Sequence, residues 1–203
     1  DGTNTAQTIA WTIRKADAIL NIDSSLTVTF DTTRAFHYLA NIPGAFSITT
    51  TDTQLISIEY IETATANTQY DANVTALDVG SGSATVVVAF TPNNPNYNVP
   101  ASQSVNIIIQ KAQNTILVTA NQLTYIKDTP QELVTTQNAK GTVYYSDNAI
   151  DSPSGGTTDI PTGIDAVNYT IYYYVTGTSQ YLEATGSVNV TIAKQTAILE
   201  WTN

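Results

Sequence analysis

Ile9-Ala-Trp-Thr-Ile-Arg-Lys-Ala16, Val105-Asn-Ile-Ile-Ile-Gln-Lys-Ala112 and Val188-Asn-Val-Thr-Ile-Ala-Lys-Gln195 are one stretch written three times. Each copy alternates apolar and polar residues, the period of a strand buried on one face. An Ile-Leu pair follows each copy after a short polar joint: Ile19-Leu20, Ile116-Leu117 and Ile198-Leu199. The closing lysines, Lys15, Lys111 and Lys194, stand 96 and 83 residues apart. A β-sandwich domain takes about 100 residues, so each interval holds one. The expected division is 1–15, the last strand of a preceding repeat or a donated strand; 16–111, a first domain; 112–195, a second; and 196–203, the start of a following repeat.

Between the copies lie short strand-like runs, among them Leu26–Phe30, Phe46–Thr51, Leu55–Ile61, Thr85–Phe90, Thr142–Tyr145 and Tyr169–Val175. Turn residues separate them, as in Pro43-Gly44, Gly80-Ser-Gly82 and Pro92-Asn-Asn-Pro95. No segment keeps a helical period. Short strands at this spacing predict an all-β chain of two tandem sandwiches. The join Lys111-Ala-Gln-Asn114 is short, which predicts a rod-like pair.

The chain has 203 residues, no cysteine, no methionine and a net charge of −10 with 12% charged residues. Without cysteine there is no disulfide framework and no thiol nucleophile. Without methionine residue 1 is not a translation start, so a processed or excised chain is expected. No apolar run is long enough to predict a membrane-spanning helix. The seven basic residues are scattered. Nucleic acid is therefore not an expected partner, because phosphate binding needs clustered Lys and Arg. Polarity comes mainly from Thr, Asn, Ser and Gln.

The ends raise the question of assembly. Ile9, Trp11 and Ile13 face one way by alternation, as do Val105, Ile107, Ile109 and Val188, Val190, Ile192. Trp11, Ile107 and Val190 share one aligned position, so Trp11 is expected in a core supplied from outside 16–203. Ile198, Leu199 and Trp201 read as the opening strand of another unit. An unpaired strand needs a partner. That partner is a neighbouring repeat, one of the two visible domains, or a like subunit receiving a donated strand.

The first interval contains Asn41-Ile-Pro-Gly-Ala-Phe-Ser-Ile-Thr49, Val87-Val-Ala-Phe-Thr-Pro-Asn-Asn-Pro-Asn-Tyr97 and the closing Lys111-Ala112. The second contains Gly141-Thr-Val-Tyr-Tyr-Ser146 and Asn168-Tyr-Thr-Ile-Tyr-Tyr-Tyr-Val175. Over residues 8 to 201 this resembles the tandem bacterial Ig-like repeats of large surface proteins of adhesin type, repeats also found in phage virion proteins and as spacers in secreted enzymes. The resemblance implies Ig-like sandwiches in an extracellular array or filament. It implies like repeats as partners, and a host glycan or surface protein as a ligand of the adhesin type. A virion fibre or decoration domain is the alternative. The first interval departs from the pattern in an expanded middle, about Ile48 to Gly82, read as an insertion on the scaffold.

Residues that carry chemistry are few. The single histidine, His37, sits among aromatics in Ala35-Phe-His-Tyr-Leu39, with no cysteine to activate, and no catalytic set is assembled. Asp147, Asp151, Asp159 and Asp165 offer oxygen ligands but lack the calcium-loop spacing; turn geometry accounts for them. No cofactor or metal is expected. Tyr144-Tyr145 and Tyr172-Tyr173-Tyr174 place at least one ring near the surface, where it could stack on a sugar, the basis of a carbohydrate-binding alternative. Asn73, Asn168 and Asn189 head Asn-x-Thr sequons, of consequence where the source glycosylates such sites.

Overall fold

The computed structural model describes residues 10–197, which form an all-β protein with a single 3-10 turn at Pro153–Gly155. The chain divides after Ile109 into two compact units, each with its own sheets and core.

The first unit contains β1 (Ala16–Asp17), β2 (Leu20–Ile22), β3 (Ser25–Thr29), β4 (Thr33–Ala40), β5 (Gly44–Thr50), β6 (Ile56–Glu59), β7 (Thr63–Ala64), β8 (Tyr70–Ala76), β9 (Ser83–Pro92), β10 (Tyr97–Asn98) and β11 (Gln103–Gln110). One sheet has the order β2-β4-β8-β6, the other β3-β11-β9-β5-β7. These are the A-B-E-D and G-F-C arrangements of an immunoglobulin sandwich, with the opening strand shared between the sheets. Inward residues alternate along each strand. Val86, Val88, Val105 and Ile107 are fully buried from one sheet, Phe36, Ala72 and Val74 from the other.

The expanded middle is not an insertion. Ile56–Glu59 and Tyr70–Ala76 are two strands of the first sheet, both paired in antiparallel register. The signal of β8 is weak because its inward side chains are small, with Ala72 and Ala76 beside Val74. Ala72 pairs with Phe36 on β4, and the small residue makes room for the large one.

The second unit is thinner. It holds β12 (Leu117–Ala120), β13 (Leu123–Thr124), β14 (Gln131–Glu132), β15 (Val134–Gln137), β16 (Val143–Ser146), β17 (Thr162–Gly163), β18 (Asn168–Val175) and β19 (Ala184–Ala193). One sheet runs β13-β19-β18-β16, and the facing layer is broken into the pairs β12-β15 and β14-β17. Leu133, Val134, Tyr145, Ile171, Val190 and Ile192 form its buried core.

The first core is centred on aromatic rings. Tyr38 meets Phe46 edge-on with centroids 4.7 Å apart, and Phe46 lies 5.2 Å from Phe90. Gly44 is obligatory beside them, because a Cβ there would strike the Phe90 ring and the Thr91 carbonyl. The buried Tyr38 hydroxyl donates to the Ile61 carbonyl and accepts from the Ile61 amide, each at 2.9 Å. Burial holds its pKa above the ordinary tyrosine value. This one oxygen fastens the segment between β6 and β7 to the core. Tyr38→Phe leaves both Ile61 backbone groups without that partner, at a cost of about 1–3 kcal/mol. The expected result is a lower melting temperature for the first unit, with faster exchange of the Ile61 amide measured by NMR. Unchanged exchange would show the clamp to be idle.

Candidate functional site

The sequence points to the joints between repeats. In the first unit, the residue after Lys15 begins β1, which pairs in parallel with β10, Ala16 opposite Tyr97. The Ala16 amide donates to the Asn96 carbonyl at 3.0 Å. In the second unit, the residue after Lys111 makes the same bridge, Ala112 opposite Tyr181 and also parallel. Its amide donates to the Gln180 carbonyl at 2.9 Å, and the Leu182 amide returns a bond to the Ala112 carbonyl. The Lys-Ala joint and the downstream Asn-Tyr or Gln-Tyr pair are thus two halves of one contact, built twice. Lys111 adds a bond from Nζ to the Thr178 carbonyl at 2.6 Å, and Lys140 lies over the Tyr181 ring at 5.5 Å.

The three copies of the repeated stretch differ in setting. Val105, Ile107 and Ile109 on β11 are buried, as are Val190 and Ile192 on β19. Trp11 and Ile13 are 85% and 95% exposed and lie in no strand. At the aligned position, Ile107 and Val190 are 0% exposed. Ile9, Ile198, Leu199 and Trp201 lie outside the described residues.

All three sequon asparagines are exposed strand residues. Asn73 sits on β8 opposite Ala35 and Glu59. The amide oxygens of Asn168 and Asn189 accept cross-strand hydroxyl bonds from Thr191 and Thr170. Each bond uses the oxygen and leaves the amide nitrogen outside it.

The tyrosine run divides by face. Tyr145 and Tyr173, directly paired, both pack against the core of the second unit. Tyr144 and Tyr172 lie half-buried on the outer face with Tyr174. Tyr174 is only 7% exposed, and its hydroxyl donates to Glu183 Oε2 at 2.8 Å, which raises its pKa. The rings are partly covered and do not form a free stacking platform. A cleft of about 620 Å3 opens between Leu133, Tyr145 and Ile171 on one side and Gly156, Pro161 and Thr162 on the other. In the first unit β6 runs along the corresponding edge, with Ile56 buried.

His37 lies between two carboxylates, Nδ1 2.8 Å from Asp23 Oδ2 and Nε2 3.5 Å from Asp71 Oδ1. Both ring nitrogens face acids and neither faces a hydroxyl, so no nucleophile is positioned for it to activate. Among the described residues no three His, Asp or Glu side chains converge as a metal site. Asp23 also accepts the His37 backbone amide at 2.8 Å. That bond first, and the ring bond second, hold its pKa below the ordinary value of 3.8. A depressed carboxylate contributes stability above its unfolded pKa and loses it as pH falls through the folded value. Asp23→Asn is therefore expected to lower the melting temperature of the first unit at pH 7. The gap to the parent should narrow below about pH 3.8. A gap that stays constant with pH would show that charge is not involved.

No protein-family model matches the chain, and no curated protein matches it. Solved structures similar to it include domains 4 and 5 of the S-layer protein SbsC, at 15% identity over 47% of this chain and 55% of that one, TM-score 0.37. Domains 5–6 of the same protein are similar at 14% identity over 87% and 99%, TM-score 0.36. The tandem Ig repeats of Dlar are similar at 9% identity over 89% and 100%, TM-score 0.33. The chain thus spans about half the length of the first of these. The assignment of the fold rests on the strand orders given above.

Proposed function

We propose that this chain is a non-catalytic structural module, a pair of Ig-like repeats from a longer extracellular surface protein of adhesin or filament type. The observation that carries this reading is the joint built twice, Ala16 on Tyr97 and Ala112 on Tyr181. Each unit opens with a Lys-Ala segment that pairs with its own body, and the same opening written into successive units is the mark of a repeat array. Lys194-Gln195 places its sequence signature once more at the far end. On this reading residues 10–14 are the last strand of a preceding repeat, and Trp11 belongs in the core of that repeat. Neighbouring repeats are the primary partners, and stability is shared between each unit and its neighbours.

An antiserum raised against the chain tests this on intact source cells. The expected outcome is surface labelling, together with a band well above the 21.8 kDa of this chain on immunoblots. Labelling that needs cell lysis, or a band at the chain's own mass, would overturn the reading.

A further inference from the structure

The charges of the first unit are segregated by sheet. The strands β2, β4, β6 and β8 carry His37, Glu59 and Asp71 on exposed positions, and Arg34, which is in register with the buried Val74 and donates from Nη1 to the Thr27 carbonyl of β3 at 3.2 Å. The strands of the facing sheet, β3, β5, β7, β9 and β11, contain no Asp, Glu, Lys, Arg or His. The larger sheet of the second unit repeats this, with no charged residue in β13, β16, β18 or β19. Solvent-facing strands ordinarily carry charges that prevent association. Here the strands of one sheet lack them in a chain with a net charge of −10, and the charges beside it are Arg34, bonded to the Thr27 carbonyl, Glu62, whose carbonyl accepts the Phe46 amide, and Asp52.

The outward residues of that face are small and neutral. Thr49, Val87 and Ser104 form a row across β5, β9 and β11, with Ser47 beside Ala89 on the next row. Val87 and Ile108 are 37% and 39% exposed, large enough to bury against a partner. Asp52, just beyond β5, turns its carboxylate to the Thr85 amide at 2.8 Å, so this charge at the end of the sheet is held by a backbone donor.

We propose that the uncharged face of the first unit is a lateral docking surface for a second copy of this chain. Two molecules of net charge −10 repel across their charged surfaces, and on this face, as on the larger sheet of the second unit, they meet with few opposing like charges. Its chemistry is self-complementary: hydroxyls that both donate and accept, and methyl groups that pack. A two-fold pairing brings the same patch to itself. The charge-depleted centre is what specific interfaces show. Five strands of two to ten residues, about 4.8 Å apart, cover roughly 450–500 Å2 of plane. That is about half of one partner's share in a standard interface, so a single face binds weakly. In a repeat array such faces act together, and weak contacts sum to firm lateral cohesion.

Sedimentation equilibrium of the intact chain tests the proposal, from about 10 μM to about 1 mM, at low and high salt. The expected result is a monomer–dimer equilibrium that tightens several-fold at high salt, as the repulsion is screened. Val87→Lys and, separately, Thr49→Lys should each weaken it at least tenfold, although each lowers the net negative charge. Ser57→Lys, on the exposed edge strand β6 of the other sheet, should not weaken it. Melting curves confirm that all three variants fold. A monomer throughout the range in both salts overturns the proposal. So does a dimer that ignores Val87→Lys and Thr49→Lys, or a face that binds a soluble neutral glucan while the chain stays monomeric.

Discussion

The last strand of each repeat lies inside its sheet, with a neighbour on both sides. β11 lies between β3 and β9, and β19 lies between β13 and β18. Each sheet is therefore completed only when the final residues of the unit insert between an early strand and the long strand that has just been made. Val105, Ile107 and Ile109 enter the first core together, each worth about 1.5–3 kcal/mol of burial. That total is comparable to the whole net stability of a small domain. The chain then runs at once into the Lys-Ala joint, so the strand that completes one unit also fixes where the next begins.

The two units meet this constraint with different amounts of material. The interval between lysines is 96 residues for the first and 83 for the second. The shorter unit has no counterpart to β6 and only a two-residue β17 where the first unit has the seven-residue β8. Its layer of short pairs leaves the cleft beside Leu133 and Ile171. The first unit fills that edge with Ile56 and adds the Tyr38–Phe46–Phe90 rings. An aromatic centre demands exact partners, such as the absent Cβ of Gly44 and the paired hydroxyl of Tyr38. The second unit makes the same kind of demand, because a Cβ at Gly186 would strike Tyr173 and one at Gly163 would strike Leu133 and Tyr169.

How far the sequence could be read follows from the same physics. The all-β class, the tandem sandwiches and the strands built from large alternating residues were readable, because Val, Ile and Phe at period two bury one face of a sheet. Strand β8 was hidden by the small Ala72 and Ala76 on its inner side, so the region around it looked like an insertion. Pairing partners are long-range facts that single runs do not carry. The Asp23–His37–Asp71 cluster needs Asp71 opposite His37 on β8, and that register was not visible from either segment alone. The tyrosine run was readable as far as its alternation, which sets Tyr173 on the face opposite Tyr172 and Tyr174. The covering of Tyr174 by a bond to Glu183 depends on the turn into β19.

The contact that opens each unit is indifferent to the side chains around it. Its bonds are made by backbone groups: the Ala16 amide to the Asn96 carbonyl, the Ala112 amide to the Gln180 carbonyl. Such bonds tolerate Asn-Tyr in one unit and Gln-Tyr in the other. The position four residues before each lysine is under a different rule. It holds Trp11, Ile107 or Val190, side chains of very different volume, and close packing allows each to fit only a core shaped for it. Ile107 and Val190 have such cores around them. The backbone contact is thus general and the core contact specific. A chain built on that division can change the interior of each unit without altering the backbone pairing that opens it.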